Sequence, residues 1–192
     1  MPNGIRSGLV TLLLLAALAA VLYVFFTNDS FFEWAFERHQ NTLSWVARPV
    51  LILPYCYFAY RRSLNGILLT VLAIATSMFW FPVPAEVDPR VADFLLMERE
   101  RLEAGFDREN IFAIIMIVAF LGGLAAAFWR RSLLWGGFVA VLGAGGKALW
   151  SVIASPESGA AVIPFALGGL VLLLAVLVLV SWRRRRAGQV GG

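Results

Sequence analysis

The chain has 192 residues, 60% of them hydrophobic and 15% charged, with a mean hydropathy of +0.80. These proportions exclude a soluble globular domain and place the protein in a bilayer. The net charge of +4 and pI near 9.8 are not a nucleic-acid signal, because the charges are sorted between apolar segments and not gathered on one polar face.

Six apolar stretches predict an all-α fold, a six-helix transmembrane bundle forming a single integral membrane domain over 1–192, with spans at about 9–26, 43–60, 64–81, 111–129, 133–154 and 160–182. Each approaches the ~20 residues needed to cross a ~30 Å hydrocarbon core, where a lipid-exposed backbone must satisfy its own hydrogen bonds as a helix. Arg6, the following apolar run and Ala17-Leu18-Ala19 have the outline of a signal peptide. Apolar residues continue from Ala20 to Phe26, however, so an uncleaved helix is expected.

The next segment pairs Ser30 with Glu33 at capping-box spacing, and Phe31, Phe32, Trp34 and Phe36 give it an apolar face. It predicts a short interfacial helix at about 30–39. His39, the sole histidine, has Phe36 and Ala35 three and four residues before it, which is no metal-ligand spacing, and an interfacial, hydrogen-bonded role is expected. In the second span, Arg48 is expected to snorkel outward. Pro54 predicts a kink where Tyr55 and Tyr57 bond freed carbonyls or border a small pocket. Cys56 is the lone cysteine, so no intrachain disulfide forms.

Pro82 and Pro84 end the third span. Asp88 is a good N-cap with Pro89 at the first helical position, and Val91, Phe94, Leu95 and Leu102 recur at near-helical spacing until Gly105. This predicts a second amphipathic helix at about 89–104, its alternating charges internally paired, Arg99 with Glu103 for example. On the fourth span Gly122, Gly123, Ala126 and Ala127 predict close helix packing, as do Gly143, Gly145 and Gly146 on the fifth.

Lys147 is the only lysine and the only charge well inside an apolar stretch, which makes it the leading intramembrane functional candidate. The text GAGGKA is not a phosphate-binding loop, since Val141 stands where the first glycine is required and Ala148 replaces the hydroxyl. Lys147 lies about 10 Å of helix below the outer end of its span, where it snorkels or pairs with an acid such as Glu157.

Arg6, Arg61, Arg62, Arg130, Arg131 and Arg183 to Arg186 occupy one set of gaps without any acid, and all twelve acids occupy the other set, on a side that six arginines share when Arg48 in the second span is included. The arginine-only side is therefore predicted to be cytoplasmic, with both termini there, in a prokaryotic cytoplasmic membrane. An internal echo accompanies this. Tyr60-Arg61-Arg62-Ser63-Leu64 recurs as Trp129-Arg130-Arg131-Ser132-Leu133, from duplication of a hairpin or from convergence of interfacial turns on the same residue types.

The stretches RHQNTLSW at 38–45, YFAYRRSL at 57–64 and SMFWFPVP at 77–84 resemble an uncharacterised family of small polytopic bacterial and archaeal integral membrane proteins with no assigned activity. The resemblance covers about the middle third of the chain. It implies a single prokaryotic membrane domain and transfers no catalytic residue.

Three functions are compatible with these residues. The first is a non-enzymatic subunit or accessory module of a membrane complex, with the bilayer and a membrane-protein partner or homo-oligomer as its contacts. Its recognition surface would draw on Glu33, Glu37, His39, Asp88, Asp93 and Glu98. The second is a small transporter or channel using Lys147, with Tyr55 and Tyr57 near a ligand or ion path. The third is an interfacial lipid-modifying enzyme using His39 with acids such as Asp88 or Asp93. No catalytic set, metal site, cofactor or nucleic-acid partner is expected, and the sequence leans against an enzyme.

Overall fold

Asn28 alone separates the first two helices, and the chain turns there because its side chain accepts the Phe31 N–H at 2.9 Å and starts a new helix. The computed structural model describes residues 3–190, and all its regular elements are helical: α1 (Asn3–Thr27), α2 (Asp29–His39), α3 (Thr42–Tyr60), α4 (Leu64–Thr76), α5 (Pro89–Glu103), α6 (Arg108–Trp129), α7 (Leu133–Ala154) and α8 (Ile163–Val190). Short 3-10 turns at Ser77–Phe79 and Gly159–Val162 extend α4 and precede α8. The expected Ser30–Glu33 box gives way to Asn28, and Glu33 reaches Arg99 on α5 at 3.2 Å instead.

Among the described residues, four helical segments are long and apolar enough to cross a membrane: Ile5–Thr27, Arg108–Trp129, Leu133–Ala154 and Gly159–Arg183. The second and third expected spans are weaker. α3 has 19 residues and carries Arg48, Pro49 and Pro54, while α4 has 13 residues before it tightens. The α-helix stops at Thr76, short of the expected 64–81; the Thr76 and Ser77 hydroxyls bond the Leu72 and Ile74 carbonyls where the chain tightens to a 3-10 turn, and Pro82 then bars a return to helix.

Four helices pack in a ring: α3 on α6, α6 on α7, α7 on α8 and α8 back on α3. α4 lies against α3, and α1 against α4. At one end of the ring, here the acidic end, α2 rests on the 3-10 turn after α4, and α5 on the one before α8. α5 begins and ends as its sequence predicts, with Asp88 accepting the Arg90 N–H at 2.9 Å and Gly105 at φ +77°.

Two cores result. Ala35, Phe36, Trp45, Met78, Val91, Phe94, Leu95 and Val162 join the amphipathic helices to the acidic end of the ring. Tyr55, Cys56, Ala59, Ile67, Leu124, Phe128, Ala140 and Leu173 fill the half toward the other end. The small residues divide unevenly between packing and exposure. Gly143 lies against the Phe120 ring and Gly123 against Val139, but Gly122, Gly145 and Gly146 face open space.

The arginine end is built from two turns with matching hydrogen bonds. Ser63 N–H donates to Phe58 O and Arg62 N–H to Ala59 O; Ser132 N–H donates to Ala127 O and Arg131 N–H to Phe128 O. These are Schellman closures that place Arg62 at φ 55° and Arg131 at φ 61°, where glycine is the usual residue. Arg62 Nε donates to Trp129 O at 3.2 Å, and the Arg131 guanidinium lies 5.3 Å from the Tyr60 ring. Each hairpin thus reaches the aromatic position of the other, the reciprocity of an isologous pair.

Candidate functional site

Asn41 caps α3 by accepting the Leu43 N–H at 3.1 Å, and the following helix places Trp45, Arg48 and Pro49 on one face at helical spacing. That face lines a cavity of about 170 Å³ at the acidic mouth of the ring. Lys147 enters from α7, Phe165 and Ala166 from α8, and Val162 from the 3-10 turn. Phe94 and Glu98, one turn apart on α5, form the roof, and His39 at the end of α2 completes the wall. Arg48 is seven residues after the Asn41 cap and Lys147 seven before Ala154, so both cations sit within about 10 Å of their helix ends.

Lys147 Nζ lies 3.2 Å from Glu98 Oε1 and 5.4 Å from the Phe94 ring centroid. The partner acid is therefore on α5, not Glu157. The Lys147 side chain remains 50% exposed, so the cavity is reachable from outside. Arg48 has no hydrogen-bond partner among the described residues. Two cations thus face one carboxylate, leaving the cavity with a formal single positive charge.

His39 is buried, at 3% exposure, and its tautomer follows from its neighbours. Ser44 donates its one proton to the Asn41 carbonyl at 2.6 Å, and the His39 carbonyl already receives Trp45 Nε1–H at 3.0 Å. Ser44 Oγ therefore accepts from His39 Nδ1–H at 2.8 Å. Nε2 is left as an unprotonated lone pair without a partner among the described residues. Burial above all, then the Arg48 and Lys147 charges, push the imidazole down to about 2, so it is neutral.

The other predicted residues go elsewhere. Tyr55 donates to Leu121 O on α6 at 2.8 Å, bonding a neighbouring helix and not its own. Tyr57 is exposed beside Phe58. Asp88 is the α5 cap. Glu33, Glu37 and Asp93 line a separate groove between α2 and α5, shared with Arg99 and floored by Phe36 and Leu95. Arg99 bonds Glu103 at 2.7 Å as well as Glu33, contacts that raise its pKa further. Of the predicted site residues, His39, Glu98 and Lys147 meet; Asp88 and Asp93 do not join them. Among the described residues, no three His, Cys, Asp or Glu side chains gather in a metal-binding group.

Sequence reasoning missed Arg48, Trp45, Phe94 and Phe165. The signal was present for two of the walls, since Trp45 with Arg48 and Phe94 with Glu98 recur at three and four residues and mark single helical faces. Comparisons with protein-family models, curated proteins and solved structures return no match.

Proposed function

We propose that the protein is a six-span prokaryotic inner-membrane protein, with both termini cytoplasmic, whose extracytoplasmic cavity binds a small anionic group. The observation that carries this is the convergence of Arg48 and Lys147, from separate helices, on one cavity with a single carboxylate. A charge held within the bundle without full compensation is costly, and such residues mark functional sites. Binding suits the cavity better than conduction, because the half of the ring below it is filled by Tyr55, Cys56, Leu124 and Phe128. The orientation rests on the arginine-only turns and the acidic opposite end. The resemblance of the middle third to small prokaryotic membrane proteins agrees with that setting.

Native mass spectrometry with short-chain lipids tests the site. Binding of a monoanionic phosphatidylmethanol is expected to exceed that of zwitterionic phosphatidylcholine about tenfold, and to fall to parity in Arg48→Met. Equal binding of the two lipids by the wild type would refute the anion site. Service as a subunit is a second reading, favoured by α1, which rests on α4 and α2 and turns most of its apolar surface outward. A stoichiometric foreign chain retained after gentle extraction from the native membrane would support it.

A further inference from the structure

We infer that the cavity's ligand is a phosphodiester monoanion carrying a hydroxyl next to the phosphate, the chemistry of a glycerol-headgroup phospholipid, with the phosphate between Arg48 and Lys147 and the hydroxyl donating to His39 Nε2. This rests on the anion-site reading and adds to it the ligand's charge and its second functional group.

The charge follows from the wall. Arg48 and Lys147 against Glu98 leave one positive charge, which a phosphodiester neutralises with its one negative charge. A phosphomonoester, near −2, would leave an excess charge in a partly desolvated cavity. Arg48 has its donors free to meet phosphate oxygens, and Lys147 can turn from Glu98 as a point charge.

The hydroxyl follows from His39. The bond from Nδ1–H to Ser44 Oγ at 2.8 Å fixes the ring, and the Ser44 proton is committed to the Asn41 carbonyl at 2.6 Å. With the ring neutral, Nε2 is therefore an acceptor and does not donate to a phosphate oxygen. An acceptor beside two cations is suited to a neutral donor on the same ligand, and a headgroup hydroxyl is such a donor. A quaternary ammonium has neither the negative net charge nor the proton to give. The lipid source fits the surroundings, because Phe165, Ala166 and Pro49 give the cavity an apolar lining, and the cations lie within about 10 Å of their helix ends, near the depth expected of headgroups.

The test compares short-chain phosphatidylglycerol, phosphatidylmethanol and phosphatidylcholine on the full-length protein by native mass spectrometry. The wild type is expected to prefer phosphatidylglycerol to phosphatidylmethanol by about fivefold, one hydrogen bond's worth. His39→Asn keeps a donor near the Nδ1 position for Ser44 but deletes the Nε2 acceptor, and should abolish that preference while leaving phosphatidylmethanol ahead of phosphatidylcholine. His39→Gln, whose amide oxygen reaches toward the Nε2 position, should restore it in part. If the wild type binds the two monoanionic lipids equally, the hydroxyl assignment is overturned and the anion site stands. If phosphatidylmethanol and phosphatidylcholine also bind equally, both fall. Deacylated glycerophosphoglycerol is expected to compete weakly; competition as strong as that of the lipid would uphold the ligand chemistry and place its source in solution.

Discussion

The two ends of the bundle handle charge in opposite ways. At the arginine end, Arg62 and Arg131 sit in repeated turns, one on a backbone carbonyl and the other over an aromatic ring, and no acid lies in the turn sequences. At the acidic end, charges are paired, Arg99 with Glu103 along α5 and, across elements, Arg99 with Glu33, Arg101 with Glu109 and Lys147 with Glu98. Repetition at one end yields a stable closure; at the other, pairing holds two amphipathic helices over a cavity that keeps one cation unbonded. The comparison separates a structural pole from a proposed binding pole within one helical ring.

The contrast can be broken most sharply at Gly159. A Cβ there would land on the Ser151 carbonyl, a backbone atom that cannot rotate aside, and the 3-10 turn that carries Val162 into the cavity wall would be displaced. Gly159→Ala is expected to cost more than about 3 kcal/mol, read as loss of a monodisperse size-exclusion peak or a large fall in melting temperature. An unchanged melt would mean the acidic end is far more plastic than described.

Lys147→Met tests the binding pole alone. With Glu98→Gln added to avoid stranding a carboxylate, the double variant should keep its melting temperature within a few degrees yet lose about tenfold in affinity for a monoanionic lipid, about 1.4 kcal/mol. Full binding by the double variant would remove Lys147 from the site.

The same pole should carry a pH signature. His39 has a folded pKa near 2, well below the ordinary unfolded value of about 6.5. Above about 6.5 both states are neutral and the stability is fully present. Below it the unfolded chain takes up a proton that the folded one refuses, so stability falls by up to about 1.4 kcal/mol per pH unit. As the sole histidine, His39 dominates the window from about 6.5 to 5, before carboxylates titrate in the unfolded chain. Denaturation in detergent should show this slope in the wild type and not in His39→Asn; a slope kept in the variant would contradict it.

The smallest effect belongs to the arginine end. Arg62→Gly relieves a left-handed backbone at φ 55° and deletes the bond to Trp129 O. The two changes, each about 1 kcal/mol, oppose one another. A melting temperature within a few degrees of wild type is expected, and a collapse would show that the turn does more than close the hairpin.

Much of the fold was legible because most of the apolar runs are also continuous helix-formers, and because Asp88, Pro89 and Gly105 punctuate α5 at positions with specific backbone roles. The third span was overread, since apolar content continues to Phe81 whereas the backbone has already tightened at Ser77. Composition measures transfer into lipid and says nothing of where side-chain hydroxyls capture carbonyls. The site was half legible. Lys147 stood out as an isolated charge, but its partner lies 49 residues away in sequence, and no local spacing links α5 to α7. Arg48 was read as snorkelling because the sequence places it near a helix end; only the ring of α3, α6, α7 and α8 turns that position into a wall.

The most direct measurement is a crystal structure of the protein grown from a lipid mesophase doped with phosphatidylglycerol. The account predicts phosphate density bonded to both Arg48 and Lys147, with a headgroup oxygen within hydrogen-bond distance of His39 Nε2. A cavity filled by water alone, or an Arg48 side chain turned out to the surface, would contradict it.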